Sequence, residues 1–560
     1  MTRYPVVFLS LLFTLSSSIS TAYRDDVRFT ELSEELTLRG IAIPTGANIT
    51  VTQVEASSSS EEDNYLPDAT NPEFSGKTII DQTQGGGTSS HATTVGVNLF
   101  GNETSIAPGI STIDVYFANE WLSSEGWSTG FRTPSESNPL QNHSWISTTT
   151  STAPTLRMDY AVVQDGFLPV AGLNNSTTTT VPTVYGSIYN GITVGRSDGG
   201  HSQGGTVYDT AGRLKPEIVV PSGATSFATP IITATAALLI ENAGNDIAAK
   251  DQLTLKAILL AGADKSAVSA WSQTASQPID TVYGAGQIDV YESYFIQEGG
   301  QQGTGSVIGE YGWNLATVSS SQADDYDITV PAGFELRDLS VILTWNRIVN
   351  KIGPSYLAET LPDLELNLLD VNNAATLQTS DSSLDNLEHI WRDAGNALSE
   401  GSYALSIQSD ATAEYSIAWR SQLYQDYTLW SSTAFTEITP VADRDADDDP
   451  EGDGIENRLE QAFGGNPELA DPEILPVFEI VNENDNEYLQ ISFRRPTFEN
   501  GLTYTVETVT DLGSTWSSAE ADVTLVSINS ESEGYDRYTY RCVEPVSAHP
   551  QAFLRVAISE

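Results

Sequence analysis

The chain has 560 residues, too many for one hydrophobic core, and its apolar content of 39% is that of ordinary globular protein. Roughly two to four domains are therefore expected. Asp and Glu number 75 against 25 Lys and Arg, a formal net charge of −50. So acidic a surface repels nucleic acid and anionic membranes, and it suits both cation binding and plain solubility.

Taken in chain order, residues 1–22 read as an export signal. Arg3 supplies the basic start, Val6 to Leu15 the apolar stretch, and Ser20-Thr21-Ala22 the small residues before a cleavage point. No later apolar run is long enough to span a bilayer, so a secreted, periplasmic or cell-surface protein without a transmembrane span is expected. Cys542 is the one cysteine, which rules out an intramolecular disulfide. In its tyrosine-rich strand it reads as a small packing residue.

After a polar lead (residues 23–40), strand-like segments at Ile49–Val54, Ile113–Phe117, Phe167–Ala171, Ile192–Val194 and Ile218–Val220 are followed by helix-like Thr229–Glu241 and Leu253–Leu260. This alternation predicts an α/β domain over 41–297, a mostly parallel sheet covered on both faces in three layers. The run Gly299-Gly300-Gln301-Gln302-Gly303 marks its end. Residues 304–420 carry short alternating strands, as in an all-β sandwich. An acidic segment at 443–465 leads to a last β-rich domain over 471–560.

Three short sequences in the first domain bear on chemistry. Pro221 to Pro230 (PSGATSFATP) is a small-residue turn that presents Ser226 at the start of an apolar helix. The positive end of that helix favours the negative charge that builds up when a carbonyl is attacked. His91 opens the segment His91-Ala92-Thr93-Thr94-Val95-Gly96, and a serine hydroxyl needs such a neutral imidazole as its base. Glu55 ends the first strand, in Val51-Thr52-Gln53-Val54-Glu55. The competing carboxylates Glu61, Glu62 and Asp63 lie in a polar loop.

In the order acid, His, Ser, these sequences resemble the signatures of subtilisin-like serine proteases over about half the chain. Ala107-Pro108-Gly109, His143-Ser144-Trp145, Gly212 to Ile218 and Tyr283 to Asp289 add further landmarks in matching order. The resemblance implies Ser226 as nucleophile, His91 as its base and Glu55 in the place of the family's aspartate. It also implies an asparagine donor to the oxyanion, with Asn174 fitting the register best and Asn175 a near rival. The chain departs from the family at Glu55 and at Ala92, where a glycine is usual. The stretch from Pro221 to Ser226 is short, and residues 23–40 leave no room for the usual folding pro-domain. The reading is a secreted serine endopeptidase that hydrolyses protein or peptide substrates through an acyl-enzyme. Its alternative, motivated by Glu55 and Ala92, is a weakly active or inactive protease fold used for binding or adhesion.

Downstream, Asp449 to Glu460 fits the EF-hand spacing. Asp449, Glu451 and Asp453 take positions 1, 3 and 5, Gly454 position 6, the Ile455 carbonyl position 7, Asn457 position 9 and Glu460 position 12. A structural Ca2+ in the linker is expected, the alternative being a solvated acidic connection.

Overall fold

The structure, a computed structural model, describes residues 22–57, 63–436, 439–531, 534–549 and 551–560. The apolar and small-residue parts of the export signal up to Thr21, and Glu61 and Glu62, lie outside the described residues. No described helix is long and apolar enough to cross a membrane.

The polar lead forms a helix, α1 (Phe29–Leu38), because Phe29, Leu32 and Leu36 recur at helical spacing and are buried. Seven strands follow: β1 (Thr50–Glu55), β2 (Thr78–Asp81), β3 (Thr112–Phe117), β4 (Leu140–His143), β5 (Leu168–Gly172), β6 (Ile192–Arg196) and β7 (Ile218–Val220). They form one sheet in the order β7-β6-β5-β4-β1-β3-β2, with every pair parallel. The helices are α2 (Ser90–Phe100), α3 (Ala153–Asp165), α4 (Thr225–Asn242), α5 (Gln252–Gly262) and α6 (Val290–Glu298).

Successive residues of a strand point to opposite faces, and the cores follow suit. Val51 and Val170 pack with α2, α4, α5 and α6, whereas Val54 and Ala171 pack with Met158, Ala161 and Val162 of α3. The expected three-layer α/β fold is thus the observed one. β2 and β4 escape the hydrophobic pattern: β2 is a half-exposed edge, and β4 (Leu-Gln-Asn-His) buries polar side chains that hydrogen-bond one another. The Tyr283–Asp289 segment closes the domain beside β7, where Ala285 N–H donates to the Glu217 carbonyl and Ile288 N–H to that of Val219. A Cβ on Gly284 would lie 2.4 Å from the Glu217 backbone, so glycine is required there.

Eight strands build the sandwich. β8 (Tyr311–Val318), β9 (Asp324–Val330), β10 (Glu335–Trp345), β11 (Leu364–Asp370), β12 (Ala375–Ser380), β13 (Leu387–Arg392), β14 (Gly401–Ser409) and β15 (Ala413–Tyr424) form two antiparallel sheets, β8-β15-β10-β13 and β9-β14-β11-β12. The first sheet has no wet face. Val341, Leu343 and Ile417 point into the sandwich, while the intervening Ile342 and Ala418 join the core of the α/β domain. α5, buried along its whole length, lies at that junction, and Ser340 Oγ donates to its Ala261 carbonyl at 2.8 Å. Buried charge ties the same domains. Arg347 pairs with Asp159 of α3, and with Asp209 at 3.0 Å.

The acidic segment belongs to the terminal domain. Ile455 and Phe463, the latter on α7 (Asn457–Phe463), share a core with Ile491, Phe493, Val506 and Leu554 of the last strands. Cys542 is buried in that core. α1 is tied to the first and the last domain. Arg28, just before it, pairs with Asp289 (2.8 Å) and Glu292 (3.0 Å), and Arg39, just after it, pairs with Asp536 at 2.7 Å.

Arg347→Met would leave the fully buried Asp159 without its counter-charge, although the carboxylate keeps the Tyr189 and Asn190 N–H donors. Losing one member of a buried pair costs about 3–5 kcal/mol, which urea unfolding of the variant should report. A loss below about 1 kcal/mol would show that the pair does not couple the domains.

Candidate functional site

The carboxyl ends of β4 and β5 open onto one cleft, the usual place for a site in a parallel sheet. Its volume is about 180 Å3, and His91, Ser144, Trp145, Asn174, Asn175 and Ser226 are among the residues that line it.

Glu55, the last residue of β1, has no exposed surface. Its Oε2 lies 3.0 Å from His91 Nδ1, and its Oε1 accepts from Gln53 Nε2 at 3.0 Å. His91 stands in the first turn of α2, which Ser89 caps by accepting from Ala92 N–H. The ring is one-third exposed and packs against Phe227 at a centroid distance of 5.7 Å. Burial pushes the Glu55 carboxyl above its ordinary value, while the contacts with His91 and Gln53 pull it back. The hydrogen bond to Glu55 raises the imidazole above its ordinary value against the opposing effect of burial.

The other buried histidines are held otherwise. His143 is fully buried among Trp121, Trp145 and Tyr185, and its pKa is pushed down to about 3 by burial. His201 is buried with both nitrogens hydrogen-bonded, to Arg196 N–H and the Val282 carbonyl. His389 is buried where the sandwich meets the first domain, against the Pro278 carbonyl and Ser340 Oγ.

Ser226 occupies the second position of α4, whose cap residue Ala224 is extended. The helix starts hard against β5 because residue 172 is glycine: a Cβ there would meet Thr229 Oγ1 at 2.8 Å. Thr225 Oγ1 donates to the Leu173 carbonyl at 2.5 Å and fixes the turn from the other side. First-turn N–H groups of a helix lack helical partners. Here Thr225 N–H donates to Asn175 Oδ1 at 2.7 Å, and Phe227 and Ala228 N–H donate to the Ala224 carbonyl. Among the described residues that leaves the Ser226 N–H without a protein acceptor.

The two asparagines differ. Asn174 lines the cleft, but its backbone is bound on both sides to Ser202 (N–H to Oγ 3.2 Å, carbonyl from N–H 2.8 Å). Asn175 is the one whose side chain is tied to the Ser226 turn. With its Oδ1 engaged by Thr225, its remaining polar group is the Nδ2 donor. Sequence register favoured Asn174, and only the Thr225 contact separates the pair.

A second constellation lies in the acidic segment. Asp449, Glu451 and Asp453 hold carboxylate oxygens within 4.8 Å of one another. Asp449 accepts from the N–H groups of Gly452, Asp453 and Gly454, which bend the chain around it. Glu460 on α7 is fully buried, and among the described residues neither its oxygens nor those of Glu451 have a hydrogen-bond partner. Burial and the neighbouring Glu451, Asp471 and Asp453 push the Glu460 pKa up to about 9. Asp471, which the loop spacing does not include, joins the cluster: its N–H donates to Asp453, and its Oδ1 is buried and unpartnered. Asn457 is also buried. Its Nδ2 donates to the Asp445 carbonyl at 2.8 Å, and its Oδ1 has no partner. Ile455 sets its side chain in the terminal core. Orphaned buried carboxylate oxygens in such number fit a hard cation bound by oxygen.

No protein-family model matches the chain, and no curated protein matches it in sequence. Among solved structures it is similar to fervidolysin from Fervidobacterium pennivorans, a keratinolytic enzyme related to subtilisin. The identity is 12%, over 73% of this chain and 82% of that one, with a TM-score of 0.34. It is also similar to the patellamide maturation protease PatA (18% identity, 45% of this chain and 98% of that one, TM-score 0.31). Proteases from Pseudoalteromonas arctica match at 15% identity, over 45% of this chain and 90% of that one, with a TM-score of 0.31.

The Glu55 contact should hold the His91 midpoint above 6.5 in the native protein, and Glu55→Gln, which keeps the shape and removes the charge, should lower it. Histidine NMR across pH measures both. An unchanged midpoint would show that the 3.0 Å contact carries no ionic character.

Proposed function

We propose that the chain is an exported serine endopeptidase of the subtilisin-like kind, in which Glu55, His91 and Ser226 act together. The observation that carries this reading is the buried Glu55 carboxylate 3.0 Å from His91 Nδ1, with His91 and Ser226 on one cleft. Held through Nδ1, His91 presents Nε2 as the base. It takes the proton of Ser226 Oγ as that oxygen adds to the peptide carbonyl carbon. The Ser226 N–H and Asn175 Nδ2 donate to the resulting oxyanion, the role that sequence register gave to Asn174. His91 then passes its proton to the leaving amine as the C–N bond breaks. Water, deprotonated by His91, cleaves the acyl ester and restores Ser226. Throughout, ionised Glu55 stabilises the imidazolium.

A fluorophosphonate serine probe should label the wild type and fail on Ser226→Ala. Asn175→Ala should lower turnover ~10²–10³-fold, and Asn174→Ala much less, because only the first removes an oxyanion donor. An unlabelled wild type would sink the enzyme reading and leave the cleft to the binding role.

The acidic cluster is proposed to bind Ca2+, with Asp449, Glu451, Asp453, Glu460 and Asp471 as side-chain ligands and the Ile455 carbonyl and Asn457 Oδ1 as candidates beside them. The ion would neutralise carboxylates that otherwise repel one another and so stiffen the terminal domain. Calcium at about a hundredfold excess over its Kd should add about 2.7 kcal/mol of stability. Glu460→Gln should abolish most of that gain. A melting temperature that EDTA leaves unchanged would count against the site.

A further inference from the structure

Glutamate at position 55 raises a mechanical difficulty. Its side chain has one more rotatable bond than the aspartate of the resembling family, so the carboxylate can swing away from His91 unless something else fixes it. The candidate for that task is two residues back on β1. Gln53 points the same way as Glu55, since side chains alternate along a strand, and it is fully buried. Its Nε2 donates to Glu55 Oε1 at 3.0 Å and to the Ala92 carbonyl at 3.1 Å. Both amide hydrogens are thereby used. A flipped amide would set its carbonyl against two acceptor oxygens, so the orientation follows from the partners. The Gln53 Oε1, buried without a partner among the described residues, is the cost of this arrangement.

From this geometry we infer that Gln53 is a positioning residue for the reaction proposed above, compensating for glutamate at position 55. It fixes one carboxylate oxygen so that the other faces His91 Nδ1. Through Ala92, the residue after His91, it also sets the spacing between β1 and the first turn of α2. The inference rests on the protease reading, and it assigns Gln53 no contact with substrate.

The test uses the full chain and two variants, Gln53→Met, which keeps the length without donors, and Gln53→Asn, which keeps an amide too short for both acceptors. Steady-state hydrolysis of a chromogenic peptide should show kcat reduced ~10²-fold with KM little changed, as for a catalytic group displaced by about 1 Å. The acid limb of the kcat/KM profile should move to higher pH. Without the Gln53 donor the ionised carboxylate is less favoured, so a singly protonated pair with neutral Glu55 becomes accessible and holds its proton longer. Circular dichroism establishes that the variants fold. Wild-type kcat and an unmoved acid limb in either folded variant would overturn the inference. A lower kcat with the limb unmoved would also overturn it, since general loosening does that.

A measurement on the wild type needs no variant. The Gln53 side-chain amide NMR signals should shift with the midpoint of the acid limb, and signals flat through that range would overturn the inference. Failure of the wild type to react with the serine probe would instead strike the protease reading, which keeps the two failures apart.

Discussion

Glu55 is a carboxylate with no solvent contact, and an ionised group in such a place is tolerated only when its oxygens are hydrogen-bonded. The surrounding architecture meets that condition. β1 is flanked by β4 and β3, which keeps water from its end, and α2 begins where its first residues can reach the carboxylate. The opposite wall is set by packing of another kind, as Gly172 and Thr225 bring the start of α4 down onto β5. An imidazole poised by charge on one side and a serine poised by close approach on the other thus come from two separate demands of the fold.

The sandwich is as much a part of this architecture as the parallel sheet. Its first sheet buries both faces, one against its twin and one against α5, so neither domain has a finished surface where they meet. Some of the cations of this acidic chain lie inside it. Arg157, Arg213, Lys215, Lys256, Lys265 and Arg347 are all buried, where they pair with carboxylates or donate to carbonyls. Acids such as Asp159, Glu217 and Asp289 are buried as well, so the interior holds charge of both signs.

Much of this was legible in the sequence, and the gaps have physical causes. Strands with continuous apolar runs, such as Ile218–Val220, and the apolar helix after Ser226 announce themselves by composition. β4 does not, because its buried polar side chains find internal partners, Gln141 in His143 and Glu136 and Asn142 in Ser144 and Thr233, which no periodicity reveals. α1 reads as a polar lead because only three of its ten residues are buried. Ser226, His91 and Glu55 lie in recognisable local sequences. The difference between Asn174 and Asn175 is not legible there, since it lies in a hydrogen bond to Asn175 from Thr225, 50 residues away in sequence. The approach of Asp471 to the acidic cluster is hidden for a like reason, as Asp471 lies beyond the loop Asp449–Glu460. Gln53 was in plain view beside Glu55, but nothing in a strand pattern marks an internal amide as a tether.

α1 gives the chain an unusual mechanical circuit. Its two flanking arginines grip carboxylates of the first and last domains, Asp289 and Asp536, which lie 247 positions apart along the chain. The terminal domain is therefore held by more than the peptide that leads into it: α1 grips it through Arg39, and Glu499 exchanges backbone hydrogen bonds with Leu423 and Gln425 at the end of the sandwich. A break in the connecting segment would leave it docked. The segment around α1 serves as a strap between the first and last domains, and because it precedes both partners in the chain it is made before the carboxylates it will grip.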